Sequence, residues 1–178
     1  RELEEVLKKL KEDAERLKRI LEEATRELEK ILERLHRLNE KSTEELRRIV
    51  KDLKEELKRR GRDEEVDKKV KDIIRELEKK STKNLEDSRR IAEELRKTSR
   101  ETVERVRKDL EELRKRVEEL TRSEEVEKTV RKLEEDLKRA IEKHEEDSRR
   151  LVKRLKESND EHEKESRRLV RELEKEIE

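Results

Sequence analysis

Three histidines, His36, His144 and His162, are the side chains best suited to chemistry near neutral pH. An imidazole can serve as a general base, ligate a metal or change its charge between about pH 5 and 8. Two of the three stand in one repeated phrase. It reads His144-Glu-Glu-Asp-Ser148-Arg-Arg-Leu151-Val152, then His162-Glu-Lys-Glu-Ser166-Arg-Arg-Leu169-Val170. The copies are 18 residues apart, which is five turns of an α-helix at about 3.6 residues per turn. On one helix His144 and His162 therefore point the same way, and so do Ser148 and Ser166. Alone, the phrase reads either as a ligand-recognition repeat or as two layers of a polar core.

Other chemistry has little to work with. A zinc site needs three or four ligands, and the chain offers three His and no Cys, so no metal and no cofactor is expected. The missing Cys also excludes thiol chemistry and leaves the redox compartment unreadable. Asp and Glu number 54 against 55 Lys and Arg, for a net charge of +1, so paired carboxylates are expected on solvated faces beside cations. Arg89-Arg90 and Arg149-Arg150 are interleaved with acids, and no aromatic ring is present to stack on a base. Nucleic acid is not an expected partner. With one Gly there is no phosphate-cradling loop, and nothing suggests a small-molecule substrate or a catalytic residue. No apolar run approaches a membrane span, and the start of the sequence lacks a signal-peptide core.

The elements that must carry the histidines are helices. A chain that is 61% charged and 26% hydrophobic could be disordered. Its residues are mostly Glu, Lys, Arg and Leu, however, with no Pro or Gln. These are strong helix formers, and with a helical period they signal a coiled coil or long helix. The apolar positions Leu3, Leu7, Leu10, Ala14, Leu17, Leu21, Ala24, Leu28, Ile31 and Leu35 form a narrow seam. It continues through Asn39, Ser42, Leu46, Val50, Leu53 and Leu57. The step averages about 3.6 residues, which predicts nearly straight helices. Gly61 suits the left-handed position that ends a helix, and Asp63 the cap of the next. A second seam runs from Val66 to Leu120 and a third from Val126 to Ile177. Between them Thr121-Arg122-Ser123-Glu124-Glu125-Val126 matches Arg62-Asp63-Glu64-Glu65-Val66, with Ser123 in place of Asp63.

The expectation is an all-α, elongated, nearly untwisted up-down-up three-helix bundle filling residues 1–178. Its helices span about 2–60, 64–120 and 124–177, with loops at 61–63 and 121–123. A rival reading breaks the chain into about six helices at Ser42-Thr43, Ser81-Thr82 and Ser158-Asn159, but no Gly or Pro stands there and the helical phase does not slip.

Short loops make successive helices antiparallel neighbours. Level residues should then sum to about 123 across the first two helices and about 244 across the last two. Ile49/Val50 should meet Ile73/Ile74 and Leu169/Val170. Ile31/Leu32 should meet Ile91/Ala92 and Leu151/Val152, and Ile20/Leu21 should meet Thr102/Val103 and Ala140/Ile141. The same arithmetic groups the polar residues into two buried layers, roughly 27 Å apart. One holds His36, Asn39, Ser42, Ser81, Asn84, Ser88, Asn159, His162 and Ser166. The other holds Thr25, Thr98, Ser99, Thr102, His144 and Ser148. Thr43 is level with the first. Buried polar groups must be hydrogen-bonded, and a satisfied layer fixes register at some cost in stability. Buried neutral histidines would also resist protonation, which makes His36, His144 and His162 candidate pH sensors.

Three near-equal helices, the phrase at His144 and His162, the loop phrases at Asp63 and Ser123, and the lack of aromatic, Met, Gln, Cys and Pro residues together resemble de novo designed parametric helical bundles with buried hydrogen-bond networks. The histidines are similar to those of pH-responsive designed assemblies. The resemblance covers the whole chain. It implies a non-enzymatic structural protein with no natural compartment, soluble and cytoplasmic on recombinant expression. It needs no partner, or associates with itself. The alternative is an interaction module, either a pH-responsive homo-oligomer or a bundle that accepts a partner helix.

Overall fold

In the computed structural model the described residues are 2–120 and 123–178, without the side chains of Glu2, Leu3 and Leu120. They form α1 (Glu2–Arg60), α2 (Glu64–Leu120) and α3 (Glu124–Glu176), with no strand among them. Helix runs unbroken through Ser42-Thr43, Ser81-Thr82 and Ser158-Asn159. The chain is an all-α three-helix bundle.

The α1–α2 turn is built as its residue types require. Gly61 takes φ +72°, and its N–H donates to the Leu57 carbonyl at 3.1 Å. A residue with a Cβ would be strained in that conformation. Asp63 then caps α2. Its Oδ1 accepts from the Val66 N–H at 2.8 Å, and its carbonyl accepts from the Asp67 N–H at 3.1 Å. Glu64, Glu65 and Asp67 place negative charge at the positive end of the helix. At the start of α3 the Ser123 carbonyl accepts from Glu127 N–H at 3.1 Å, as Asp63 does from Asp67. Thr121 and Arg122 of the expected second loop lie outside the described residues. The last turn of α3 tightens, with Ile177 and Glu178 bonding three residues back, so the helix ends at Glu176.

Contacts divide the chain into two compact units, each with a segment of every helix. Unit 1 comprises residues 1–30 and 94–152; unit 2 comprises residues 31–93 and 153–178. Within unit 2, Leu46, Val50, Leu53 and Leu57 pack with Val70, Ile74 and Leu77 and with Leu169, Val170 and Leu173, flanked by Ile49 and Ile73. Leu35, Ala92 and Leu155 form a smaller cluster with Ile31, Leu32 and Ile91. The expected partner from α3 was Leu151/Val152; Leu155, one turn on, fills that place. Within unit 1, Ala14, Leu17 and Leu21 pack with Val103, Val106, Leu137 and Ile141. Leu10, Val117 and Val126 close a further cluster. Ile20, expected in the same layer as Leu21, is exposed. One residue along a helix is a rotation of about 100°, which carries Ile20 off the seam that Leu21 holds.

Candidate functional site

The two polar layers are the part of this core that can do more than pack. In unit 1 the layer centres on His144 of α3, which is 2% exposed. Its Nδ1 lies 2.7 Å from Thr25 Oγ1 on α1, and its Nε2 lies 2.9 Å from Ser99 Oγ on α2. The Thr25 hydroxyl donates to the Leu21 carbonyl at 3.1 Å. Its single hydrogen is thereby used, so the oxygen accepts from His144, and the ring carries its proton on Nδ1. Nε2 is then the acceptor for the Ser99 hydroxyl. One directed chain, Ser99 to His144 to Thr25 to the Leu21 carbonyl, ties three helices together.

Unit 2 repeats half of this chain 18 residues on. His162, 3% exposed, has its Nδ1 2.8 Å from Thr43 Oγ1, and the Thr43 hydroxyl donates to the Asn39 carbonyl at 2.8 Å. The proton is again on Nδ1. The other nitrogen differs. Nε2 of His162 is buried and has no hydrogen-bond partner among the described residues. Ser81, at the level that Ser99 holds beside His144, instead accepts from Ser166 Oγ at 3.0 Å.

Beside His162, Asn39 links all three helices. Its Nδ2 donates to Ser158 Oγ at 3.1 Å and Asn159 Oδ1 at 3.0 Å on α3, while its Oδ1 accepts from Asn84 Nδ2 of α2 at 3.2 Å. The chain leaves the core through Ser158, whose hydroxyl donates to His36 Nδ1 at 2.9 Å. The other nitrogen, Nε2–H, reaches Glu40 at 3.0 Å. As a neutral ring His36 thus takes the opposite tautomer to the other two.

His36 corrects the expectation of three buried histidines: it is exposed. Leu35 holds the seam, and the neighbouring position falls on the rim between α1 and α3. Thr98 is also exposed, and its hydroxyl donates back to the Glu94 carbonyl at 2.9 Å, so it needs no core partner. Thr102 is half-buried and bonds back to Thr98 in the same way at 2.9 Å. Asn39, Ser81, Ser88, Asn159 and Ser166 are buried in one layer, with Ser42 and Asn84 half-buried; Ser99 and Ser148 are buried in the other, with Thr25 half-buried. Ser158 was missed as a layer member, since Ser158-Asn159-Asp160 carries a loop-like composition; its place one turn beyond Leu155 on the seam was the signal for it. Thr43, level with the first layer by arithmetic, makes that layer's bond to His162 Nδ1.

Burial pushes both core histidines below the ordinary imidazole range. For His144 the Asp147 and Glu145 charges and the Leu21 carbonyl pull the other way without cancelling it. For His162 only the Asn39 carbonyl opposes. Around the layers the surface is ionic. A groove of about 980 Å³ in unit 2 is lined by His36, Asn39, Thr43 and His162 under a rim of acids and arginines. Arg47 and Lys54 of α1 reach Glu165 and Glu172 of α3 at 3.3 and 3.0 Å. Among the described residues no group of three or more His, Asp or Glu side chains could hold a metal ion. Among the described residues no helix is long and apolar enough to cross a membrane.

Comparison with known proteins bears on the fold. No protein-family model matches the sequence, and no curated protein is similar to it. A solved structure described as a computationally designed three helix bundle is similar over 99% of this chain and 92% of its own, at 21% identity and a TM-score of 0.56. That likeness is one of fold. It agrees with the three helices and with the all-α architecture read from the seams.

Proposed function

We propose that the chain is a designed structural protein without catalytic activity, a three-helix bundle whose buried polar layers specify the register of its helices. The observation that carries this is the Ser99–His144–Thr25 bridge, one residue from each helix, whose His–Thr half recurs 18 residues on at His162 and Thr43. A slip of any helix by one turn would move a partner about 5.4 Å away and leave buried nitrogens and hydroxyls unpaired. The narrow residue alphabet, without Phe, Tyr, Trp, Met, Cys, Pro or Gln, supports a designed origin. The test replaces both trios with apolar residues: Thr25→Val, Ser99→Ala and His144→Leu, with Thr43→Val, Ser81→Ala and His162→Leu. Stability should hold or rise, because well-packed apolar groups avoid the cost of burying polar ones. Methyl NMR spectra should broaden or multiply as registers mix. A single sharp spectrum with the parent's inter-helix contacts would refute the register role.

A second reading, destabilisation at acid pH, is favoured by the burial of His144 and His162. It extends to a bundle that self-associates or accepts a partner helix, for which half-exposed Leu38 (53%) is the available apolar side chain in unit 2. Circular dichroism and light scattering between pH 7.5 and 4 test both. A mass near 21.9 kDa at neutral pH supports the monomeric bundle, and a multiple supports association. A pH profile identical to that of a His→Asn triple variant removes the histidines from the response.

A further inference from the structure

The two histidine layers are related position by position. Adding 18 on α1 and α3 and subtracting 18 on antiparallel α2 converts one into the other: Leu21 to Asn39, Thr25 to Thr43, His144 to His162, Ser148 to Ser166, and Ser99 to Ser81. The Nδ1 half is reproduced faithfully. Thr25 donates to its carbonyl at 3.1 Å and Thr43 to its own at 2.8 Å, and the imidazole-to-threonine distances are 2.7 and 2.8 Å. The Nε2 half is not. Ser99 bonds His144 directly at 2.9 Å, whereas Ser81 accepts from Ser166 at 3.0 Å and Nε2 of His162 is a buried acceptor with no partner among the described residues.

Donor and acceptor capacity states what would complete the unit 2 chain. His162 carries its proton on Nδ1, so Nε2 needs a donor. Ser81 spends one lone pair accepting from Ser166, and its own hydroxyl hydrogen is left to be directed elsewhere. A group that accepts from Ser81 and donates to His162 satisfies both. Water does this, and buried water characteristically joins two to four such otherwise unpaired groups. Ser81 and Ser166 line a groove of about 350 Å³ between α2 and α3, and Ser99 and Ser148 line its counterpart of about 400 Å³, so solvent reaches both layers and the unpaired Nε2 of His162 is what distinguishes them. We propose that one ordered water bridges Ser81 Oγ and His162 Nε2, taking the place that the Ser99 hydroxyl fills directly beside His144. The second layer is then a hydrated layer and the first a dry one.

The test is a crystal structure at a resolution that orders buried solvent, paired with water-selective rotating-frame NOE spectra of the intact chain. The expected result is a water within hydrogen-bonding distance of both atoms and a direct water cross-peak at the His162 ring. His144, whose Nε2 is bonded to the Ser99 hydroxyl, is the internal control: it should show no bridging density and only the weaker peak relayed by hydroxyl exchange. Ser81→Ala, which keeps the histidine and removes the second partner, should weaken the His162 cross-peak several-fold. A direct Ser81–His162 hydrogen bond without intervening density would overturn the proposal. So would equal cross-peaks at both rings, or a His162 cross-peak indifferent to Ser81→Ala. Should that variant fail to fold, the density and the His144 comparison in the parent chain still decide.

Discussion

Ser99 and His144 meet across 2.9 Å inside unit 1, the serine hydroxyl donating to Nε2 of the ring. That bond is the only donor this nitrogen has in the described contacts, and the ring is 2% exposed. Ser99→Ala therefore leaves a buried acceptor unpaired, which costs about 1–3 kcal/mol. The urea midpoint should fall accordingly. Ser99→Ala combined with His144→Leu should recover most of the loss, because removing both partners also removes the unpaired group.

Acid should weaken the fold through His144 and His162, and the sign follows from their direction of shift. Both rings have folded pKa values below the unfolded value of about 6.5. Above that pH both states are neutral and the rings contribute nothing. As pH falls through 6.5 the unfolded chain takes up protons first, so stability declines, and the penalty is complete once pH is below the folded values. Each unit of depression is worth about 1.4 kcal/mol. Glu165 and Glu172 are lowered as well, Glu165 chiefly by Arg168 and Glu172 chiefly by Lys54. Their contribution is present above their unfolded pKa and lost as pH falls through their folded values, below the histidine window. Urea unfolding at pH 7.5 and 5.5 should show a loss in the parent chain that a His144→Asn/His162→Asn variant lacks.

Three helices and the first turn were readable in the sequence because the seam, the single glycine and Asp63 each act locally. Levels were readable to within about one turn, since antiparallel helices joined by short loops fix sums of residue numbers; Leu155 in place of Leu151/Val152 marks that margin. Azimuth was harder. His36, Thr98 and Ile20 stand at the right level and one residue off the seam, and that rotation of about 100° places them outside. Hydroxyl pairing was not readable. Whether Ser81 turns to Ser166 or to His162, one turn apart on α3, is a choice of side-chain torsion that residue numbers do not fix.

Gly61→Ala should destabilise by about 1–2 kcal/mol. The cause is conformational alone, since a Cβ at this position meets nothing within 4 Å. Asp63→Ala should cost about 1 kcal/mol by stripping the Val66 N–H of its cap. Thermal unfolding of the two single variants measures both, and Asp63→Asn should be nearly neutral.

The ionic rim should matter far less than the layers. Glu172 bridges Lys54 at 3.0 Å and Arg168 at 2.7 Å, yet Lys54 and Glu172 are only half-buried and Arg168 is exposed. Glu172→Gln should cost less than about 1 kcal/mol, and the difference from the parent should shrink in 1 M salt. Chemical denaturation by urea, which adds no ions, measures both.

Long-range ¹H–¹⁵N correlation spectra of the imidazoles at pH 7.5 test the bonding of the layers most directly. Hydrogen bonds to Thr25 and Thr43, whose own protons are committed to backbone carbonyls, require the Nδ1–H tautomer at His144 and His162. His36, between Ser158 and Glu40, requires Nε2–H. Two Nδ1–H rings and one Nε2–H ring are the predicted result. Nε2–H at either His144 or His162 would contradict the bridges on which the register role depends.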